Sequence, residues 1–218
     1  MTAYLSPGTA PFDAVLCDVD GVIRYYDHSE VACLERAVGL REGATAGIAF
    51  APENDLPLLL GQISREQWVA SIAATLAKRV PESEAHALAA AFDGAGFRAD
   101  AAVVGMLRQV RAHCPVVLVT NATVWLDEDL ALLGLTDLAD HVINSSLVGV
   151  AKPDRRIFEL AADRVGAAAD RCLFVDDLQE NVDAAIRLGM QGIVYRAPAD
   201  LRVALSPILS NGALTPPE

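Results

Sequence analysis

Short apolar runs that end in polar residues recur along this chain, and they restrict the folds it can adopt. Each run has four or five residues, the usual length of a buried strand, and the runs cover 14–17, 115–119, 141–144, 172–175 and 191–195. Between them, apolar positions repeat every three and four residues over 100–112, 124–133, 156–165 and 180–188. Gly134, Gly166 and Gly189 stand just beyond three of these helical patterns, where helices commonly end. Strands that alternate with helices predict an α/β fold whose mostly parallel sheet carries helices on both faces.

Residues 25–98 interrupt this alternation, because they contain several helical patterns and no comparable strand run. We therefore expect a core formed by 1–24 and 99–218 and an inserted helical cap over 25–98. A chain of 218 residues is long enough for a core domain with one smaller insertion. The last residues, 206–218, hold three prolines and no clear periodicity, which predicts a surface tail.

One helix within the predicted cap has a well-marked start. Ser64 and Gln67 have the spacing of a capping box, in which each side chain accepts a hydrogen bond from the other residue's backbone. Trp68, Ile72 and Leu76 follow at intervals of four. This stripe predicts a helix that packs these three side chains inward.

Composition and charge exclude several classes of protein. With 53% apolar and 21% charged residues the chain is not disordered, and its net charge of −12 disfavours nucleic acid and anionic membrane surfaces, which need clustered Lys and Arg. No stretch supplies the ~20 uninterrupted apolar residues that span a bilayer, and residues 1–11 lack the features of a secretory signal. Cys17, Cys33, Cys114 and Cys172 lie too far apart for a zinc site or a disulfide framework. We expect free thiols and a cytoplasmic protein.

Polar side chains follow the predicted strands at the points where the strands end. They are Asp18, Asp20, Thr120, Asn121, Asp176 and Asp177, and Lys152 stands at the start of a later helix. In an open α/β sheet, residues that close successive strands can converge on one site beyond the carboxyl edge. Carboxylate oxygens suit Mg²⁺, whereas an ammonium and neutral donors suit phosphate oxygens. The pattern predicts a site that holds a divalent cation beside a phosphoryl group.

Four motifs resemble those of the haloacid dehalogenase superfamily of hydrolases. They are DVDGV at 18–22, VLVTN at 117–121, KPD at 152–154, and FVDD at 174–177 with Asn181 four residues later. The resemblance extends over nearly the whole chain. The resemblance is strongest to the subgroup whose α-helical cap lies between the first and second motifs. It implies a Rossmann-like sheet with a small helical bundle as a lid.

The resemblance also implies a role for each motif residue. Asp18 is the expected nucleophile that forms an aspartyl phosphate, and Asp20 is the expected acid and base for the leaving group and for water. Thr120 and Asn121 are expected to donate hydrogen bonds to the phosphoryl oxygens. Lys152 is expected to balance the negative charge that nucleophile and phosphate bring together.

The expected cofactor is Mg²⁺, held by Asp18, by the backbone carbonyl of Asp20 and by an acid of the fourth motif. The resemblance favours Asp177 as that acid, because its spacing to Asn181 aligns it with the family's metal-binding acid. Asp176 is then expected either to contact the metal ligands without binding the metal itself or to serve as the alternate ligand.

One segment departs from the family pattern. After Gly21 and Val22 the family often has Thr or Asp-Ser residues, whereas this chain has IRYYDH at 23–28. Tyr25, Tyr26 and His28 are candidates to line the entrance to the site. The natural substrate is therefore left open.

The resulting hypothesis is a Mg²⁺-dependent phosphatase, monomeric or homodimeric, that hydrolyses the phosphate monoester of a small metabolite. A phosphomutase shares all four motifs and stays an alternative. A haloacid dehalogenase needs no metal and lacks an acid at the position of Asp20, which argues against it. A phosphorylatable signalling receiver carries no late acid pair like Asp176 and Asp177. A non-catalytic binding protein on the same fold is the last alternative, although every catalytic position is filled.

Overall fold

Five strands form one parallel sheet in the computed structural model of this protein, which describes residues 11–209. These strands are β1 (Ala14–Cys17), β4 (Val116–Thr120), β5 (His141–Asn144), β6 (Cys172–Asp176) and β7 (Gln191–Val194). Their order across the sheet is β5-β4-β1-β6-β7, and every neighbouring pair is parallel. The predicted α/β class is confirmed, and the strand ends differ from the prediction by at most one residue.

Helices account for most of the remaining described residues. They are α1 (Ser29–Ala37), α2 (Ala44–Ala49), α3 (Pro52–Leu59), α4 (Arg65–Leu76), α5 (Glu82–Asp93), α6 (Ala101–Arg111), α7 (Leu126–Leu132), α8 (Ser145–Val148), α9 (Arg155–Val165), α10 (Gln179–Arg187) and α11 (Pro198–Leu209). Gly134, Gly166 and Gly189 follow α7, α9 and α10 with positive φ angles, as their predicted position after a helix requires.

The central strand β1 shows why both faces of the sheet are covered. Successive side chains of a strand point to opposite faces. Val15 and Cys17 contribute to one buried cluster with α6, α7 and α11, whereas Ala14 and Leu16 contribute to another with α9 and α10. All four side chains are fully buried. A sheet buried on both faces explains why its strands read as continuous apolar runs.

Helices α1 to α5, which we call the cap helices, pack around a third buried cluster. The capping box at Ser64 and Gln67 is present at the start of α4. Trp68, Ile72 and Leu76 are buried in this cluster, as their spacing predicts.

Two short strands lie at the borders of residues 25–98, where the sequence shows no comparable strand run. Strands β2 (Arg24–Tyr26) and β3 (Phe97–Ala99) pair antiparallel in a separate two-stranded sheet, with Arg24 opposite Ala99 and Tyr26 opposite Phe97. Each strand has only three residues, too few to show an alternating pattern. The pairing partners are also far apart in sequence, so no local turn signal announces them.

The prediction of a surface tail over 206–218 is wrong for residues 206–209, which belong to α11; residues 210–218 lie outside the described part of the chain. Leu205 and Ile208 are buried in the cluster shared with α6. Pro207 cannot donate to the carbonyl of Val203, four residues earlier. The hydroxyl of Ser206 donates to that carbonyl instead, at 2.8 Å. A side chain thus supplies the hydrogen bond that proline removes.

Candidate active site

The candidate site lies where three neighbouring strands end. Strand β1 lies between β4 and β6, so the carboxyl ends of these strands meet at one edge of the sheet. Asp18 directly follows β1, Thr120 closes β4, and Asp176 closes β6. The backbone N–H of Asp18 donates to the carbonyl of Val175 at 2.9 Å, which extends the pairing of β1 with β6 to the site.

Lys152 joins the acids of two strands. Its Nζ lies 2.7 Å from Oδ1 of Asp18 and 2.6 Å from Oδ2 of Asp176, and its side chain is 1% exposed. Burial opposes the charged form of Lys152, but attraction to the two carboxylates outweighs it and raises the pKa of the ammonium. Burial also raises the pKa of Asp18, to about 7, and the nearby Lys152 acts in the opposite direction. The cluster therefore concentrates charge in a place that excludes water.

Asp176 is fully buried, and protein donors occupy both of its carboxylate oxygens. Oδ1 accepts from the backbone N–H of Leu178 at 2.8 Å, and the side-chain amide of Asn181 lies 3.1 Å from each oxygen. Oδ2 also accepts from Lys152. This carboxylate is fixed in place by four contacts, which suits a residue that orients Lys152.

Asp177 is more accessible than Asp176 and lies against Gly21. A Cβ at position 21 would fall 2.6 Å from Cγ of Asp177, and Gly21 has a φ of +80°. Only glycine leaves room for this carboxylate and tolerates that backbone conformation. Burial and the negative charge of Asp176 raise the pKa of Asp177.

The carboxylates of Asp18, Asp176 and Asp177 form a group that fits a divalent cation. Ligand atoms of the three residues lie within 4.8 Å of one another. Hard oxygen donors in this number suit Mg²⁺, which commonly takes one or two carboxylates and fills its other positions with water and phosphate. The side chain of Asp20 does not belong to this group. The predicted metal ligand from Asp20 is its backbone carbonyl.

Thr120 is fully buried, and within residues 11–209 its hydroxyl oxygen has no hydrogen-bond partner. Buried polar groups are rarely left unpaired unless a ligand or water satisfies them. Thr120 closes β4, which lies beside β1, and its contact to a phosphoryl oxygen stays a prediction.

Asn121 makes a contact that the sequence did not predict. Its side-chain Oδ1 accepts from the backbone N–H of Lys152 at 2.7 Å, and its Nδ2 donates to the carbonyl of the same residue at 3.0 Å. The amide thus fixes the backbone that carries Lys152. The backbone N–H and the second amide hydrogen of Asn121 are the groups that are still available to donate a hydrogen bond to phosphate.

Arg24 is a site residue that the sequence motifs do not reveal. Its guanidinium donates to both carboxylate oxygens of Asp20, at 2.6 and 2.9 Å, and to Oδ2 of Asp129 at 2.6 Å. The residue is 3% exposed, and the guanidinium also lies over the ring of Tyr26, 5.0 Å from its centre. The ion pair of Arg24 with Asp20 could have been predicted, because the two residues are only four positions apart. Asp129 is 105 residues away from Arg24, so sequence gives no hint of that pair.

A cavity of about 360 Å³ opens between this edge and the cap helices, and Asp20 and Asn121 are among its lining residues. Of the three predicted entrance residues, Tyr26 and His28 line it. The hydroxyl of Tyr25 instead donates to the carbonyl of Gly21 at 2.8 Å. Asp20 and the loop that begins at Asn121 are thus accessible from this cavity.

Comparison with known proteins gives a consistent result. The sequence model of the haloacid dehalogenase-like hydrolases matches residues 12–189. The phosphatase MT3486 of Mycobacterium tuberculosis is 39% identical over 62 residues, which are 28% of this chain and 29% of that protein. The sesquiterpene phosphatase astK of Aspergillus oryzae is 33% identical over 98 residues, which are 44% of this chain and 50% of that protein. The matched stretches span at most half of the length of these two relatives.

A solved structure shows the same fold. A HAD family enzyme from Bacteroides thetaiotaomicron, in complex with magnesium and inorganic phosphate, matches with a TM-score of 0.65 at 18% identity, over 85% of this chain and 95% of that chain. Within residues 11–209, no helix combines the length and the apolar character needed to cross a membrane.

Proposed function

Because the chain belongs to the haloacid dehalogenase-like hydrolases, we propose that it is a Mg²⁺-dependent phosphatase acting on a small-molecule phosphate monoester through a phosphorylated Asp18. The observation that carries the proposal is the buried cluster of Asp18, Lys152 and Asp176. Asp177 lies beside it, and the hydroxyl of Thr120 has no partner among the described residues. Relatives named as phosphatases support the proposal.

The two oxygens of Asp18 have different surroundings. Oδ1 accepts from the backbone N–H of Val19 at 2.7 Å and from Lys152. Oδ2 has no hydrogen-bond partner in residues 11–209 and is left to attack phosphorus. Attack forms the bond from Asp18 to phosphorus and breaks the bond from phosphorus to the leaving alcohol oxygen. Water then attacks the same phosphorus, which releases inorganic phosphate and regenerates Asp18.

Asp20 donates a proton to the leaving oxygen in the first step and accepts one from water in the second. The fork of Arg24 binds the acceptor-only carboxylate form of Asp20, the form that the second step requires. Donation in the first step needs Asp20 to turn away from Arg24. We propose that Arg24 and Asp129 set the resting position of Asp20.

Asp18, Asp177 and the carbonyl of Asp20 would hold Mg²⁺, and the acid group fits this cation. The cation supplies positive charge that lets a doubly negative phosphate approach a carboxylate. Lys152 supplies further positive charge, and Thr120 donates a hydrogen bond to a phosphoryl oxygen.

We also propose that the segment 25–98 acts as a lid over this site. Its helices pack around their own buried cluster, and residues of these helices line the cavity above Asp20. A closing element excludes water and completes the pocket, so it commonly selects the substrate.

The test is release of inorganic phosphate from a panel of phosphate monoesters with Mg²⁺. EDTA should abolish turnover, and added Mg²⁺ should restore it. Full activity in metal-free enzyme contradicts the proposal. Turnover that appears only when a sugar bisphosphate is added identifies a phosphomutase instead. Halide release from 2-chloropropionate without metal identifies a dehalogenase.

A further inference from the structure

Six aromatic side chains contribute to the lining of the cavity above Asp20. Its aromatic lining residues are Tyr26, Phe50, Trp68, Phe92, Phe97 and Trp125. Three of these rings already carry a cation on one face. Arg24 lies 5.0 Å from the centre of Tyr26 and 5.5 Å from that of Phe97, and Arg65 lies 5.1 Å from the centre of Trp125. Aromatic faces attract ammonium and guanidinium groups through the ring quadrupole.

The charged groups of the cavity carry an excess of negative charge. Its acids are Asp20, Asp55, Asp93, Glu128 and Asp129, and its strong bases are Arg24 and Arg65. Both arginines are engaged: Arg24 pairs with Asp20 and Asp129, and Arg65 pairs with Asp93. Burial lowers the pKa of His28, so this side chain adds no positive charge at neutral pH. Asp55 and Glu128 are left without a counter-charge in the described part of the chain.

Asp55 is the more informative of these two acids, because it is half-buried whereas Glu128 is exposed. Within residues 11–209 its carboxylate has no hydrogen bond and no ion pair. Burial, with no cation to offset it, raises the pKa of Asp55 to about 6. The side chain is still ionised at neutral pH, and a half-buried carboxylate without a partner costs free energy that a bound cation would recover.

An exposed ring lies near Asp55 in the sequence. Phe50 caps the end of α2, and Asp55 belongs to the first turn of α3. Phe50 is 58% exposed although it lines the cavity, and it meets Phe92 edge to face at 5.5 Å. The α2–α3 junction thus offers the cavity an aromatic surface and an unpaired carboxylate together.

We propose that this cavity selects phosphate monoesters whose leaving alcohol carries an ammonium group, with Asp55 as the specificity-determining residue. The proposal rests on the phosphatase function proposed above. In this arrangement the phosphoryl end of the substrate lies at Asp18, and the ammonium end lies against Asp55 and the aromatic walls. A second anionic group on the leaving alcohol would face Asp55 and Glu128 with no unpaired cation among the described lining residues, so such esters are poor substrates.

Binding can be tested without catalysis, because the two tryptophans of the chain, Trp68 and Trp125, both line the cavity. Their fluorescence is titrated with choline and with its uncharged carbon isostere, 3,3-dimethylbutan-1-ol, at constant ionic strength. Choline should bind with a Kd about tenfold lower or better, the size of a partly desolvated cation contact. Asp55→Asn should remove the difference. Glu53→Gln, an exposed acid in the same helical turn, should keep it.

Kinetics provide the second arm, with choline phosphate and 3,3-dimethylbutyl phosphate as the matched esters. Their ratio of kcat/KM should be about ten or more in the wild-type enzyme and near one in Asp55→Asn. Equal binding and equal turnover of the charged and neutral compounds in the wild-type protein overturn this inference and leave the phosphatase proposal standing. Selective binding of choline with no turnover of either ester, or of p-nitrophenyl phosphate, overturns the phosphatase proposal and leaves the cation site standing.

Discussion

The carboxyl edge of the sheet and the cavity above it both contain several charged groups, and the buried Lys152 cluster at the edge differs from Asp55 in the cavity. At the edge the side chains of Lys152, Asp18 and Asp176 are 1%, 8% and 0% exposed, and every one is paired. In the cavity Asp55 is half-buried and has no partner in the described chain, and Phe50 is mostly exposed. The Lys152 cluster is a fixed arrangement, whereas Asp55 is still without a counter-charge among the described residues.

The difference separates two requirements of an enzyme. A buried ion cluster is a poor way to stabilise a fold, because the loss of hydration offsets most of the attraction. Its presence at the strand ends is better explained by chemistry, which needs charges held in place when the substrate arrives. Selection among substrates needs contacts that only the right ligand completes. Changes at the edge should therefore abolish turnover, and changes in the cavity should alter selectivity.

The largest effect is expected from the two acids of the first motif. Asp18→Asn should lower kcat by about 10⁴-fold or more, because an amide oxygen is a poor nucleophile toward phosphorus. Asp20→Asn should also be slow, but it keeps the nucleophile. With a good leaving group such as p-nitrophenol, phosphorylated Asp18 should then accumulate for want of a base to activate water.

Acid quenching followed by intact mass measurement checks this prediction. One added phosphoryl group is expected on the Asp20→Asn variant and none on Asp18→Asn. The reverse pattern would mean that the two roles are exchanged.

A smaller loss is expected at Lys152, together with a loss of stability that its sequence motif does not suggest. Lys152→Met should lower kcat by about 10² to 10³-fold and the free energy of unfolding by about 3 kcal/mol, because Asp18 and Asp176 then face each other unpaired. Adding Asp176→Asn should recover stability but not activity. Urea denaturation and steady-state kinetics measure the two effects. Wild-type kinetics in Lys152→Met would remove Lys152 from the site.

Arg24 should give an intermediate effect, since it lies at the border between the edge and the cavity. Arg24→Met should lower kcat by about 10 to 10²-fold with little change in KM, because Asp20 loses both donors that fix it. Arg24→Lys keeps the charge but not the fork, so it should restore stability more than kcat. Arg98→Met is the matched control, because Arg98 is an exposed arginine of the same two-stranded sheet. A pH profile of kcat that is unchanged in Arg24→Met would contradict a role acting through Asp20.

The smallest effect concerns the pH dependence of selectivity. The pKa of Asp55 is about 6, so its carboxylate is charged above that pH and loses its charge as the pH falls through it. The ratio of kcat/KM for choline phosphate over 3,3-dimethylbutyl phosphate should therefore be highest above pH 7 and decline toward pH 5. Groups that act on both esters, such as Asp18, cancel in this ratio. A ratio that stays constant from pH 5 to 8 would exclude Asp55 as the source of the preference.

The order of residues is enough to specify the five strands of the parallel sheet, the four helices that alternate with them over 100–188 and the set of strand-end residues. Short apolar runs and glycines after helical patterns are local signals. In a parallel sheet, residues that follow the carboxyl ends of neighbouring strands lie close together, so their positions in the sequence already predict a shared site. That is why the sequence pattern places Asp18, Thr120, Asp176 and Asp177 at one site. The pattern of strands places these residues near one another. The expected role of each residue comes from the resemblance of their motifs to a known family.

Contacts between residues that are distant in sequence depend on the folded arrangement instead. The pairing of β2 with β3, the ion pair from Arg24 to Asp129 and the hold of Asn121 on the backbone of Lys152 leave no periodic or compositional trace. The burial of α11 was hidden by Pro207, whose cost is reduced by a side-chain hydrogen bond from Ser206. Whether Asp55 has a partner is likewise fixed by what packs around it. The burial of a side chain and the pairing of its charge depend on neighbours that folding brings together. The sequence around that residue therefore does not predict them.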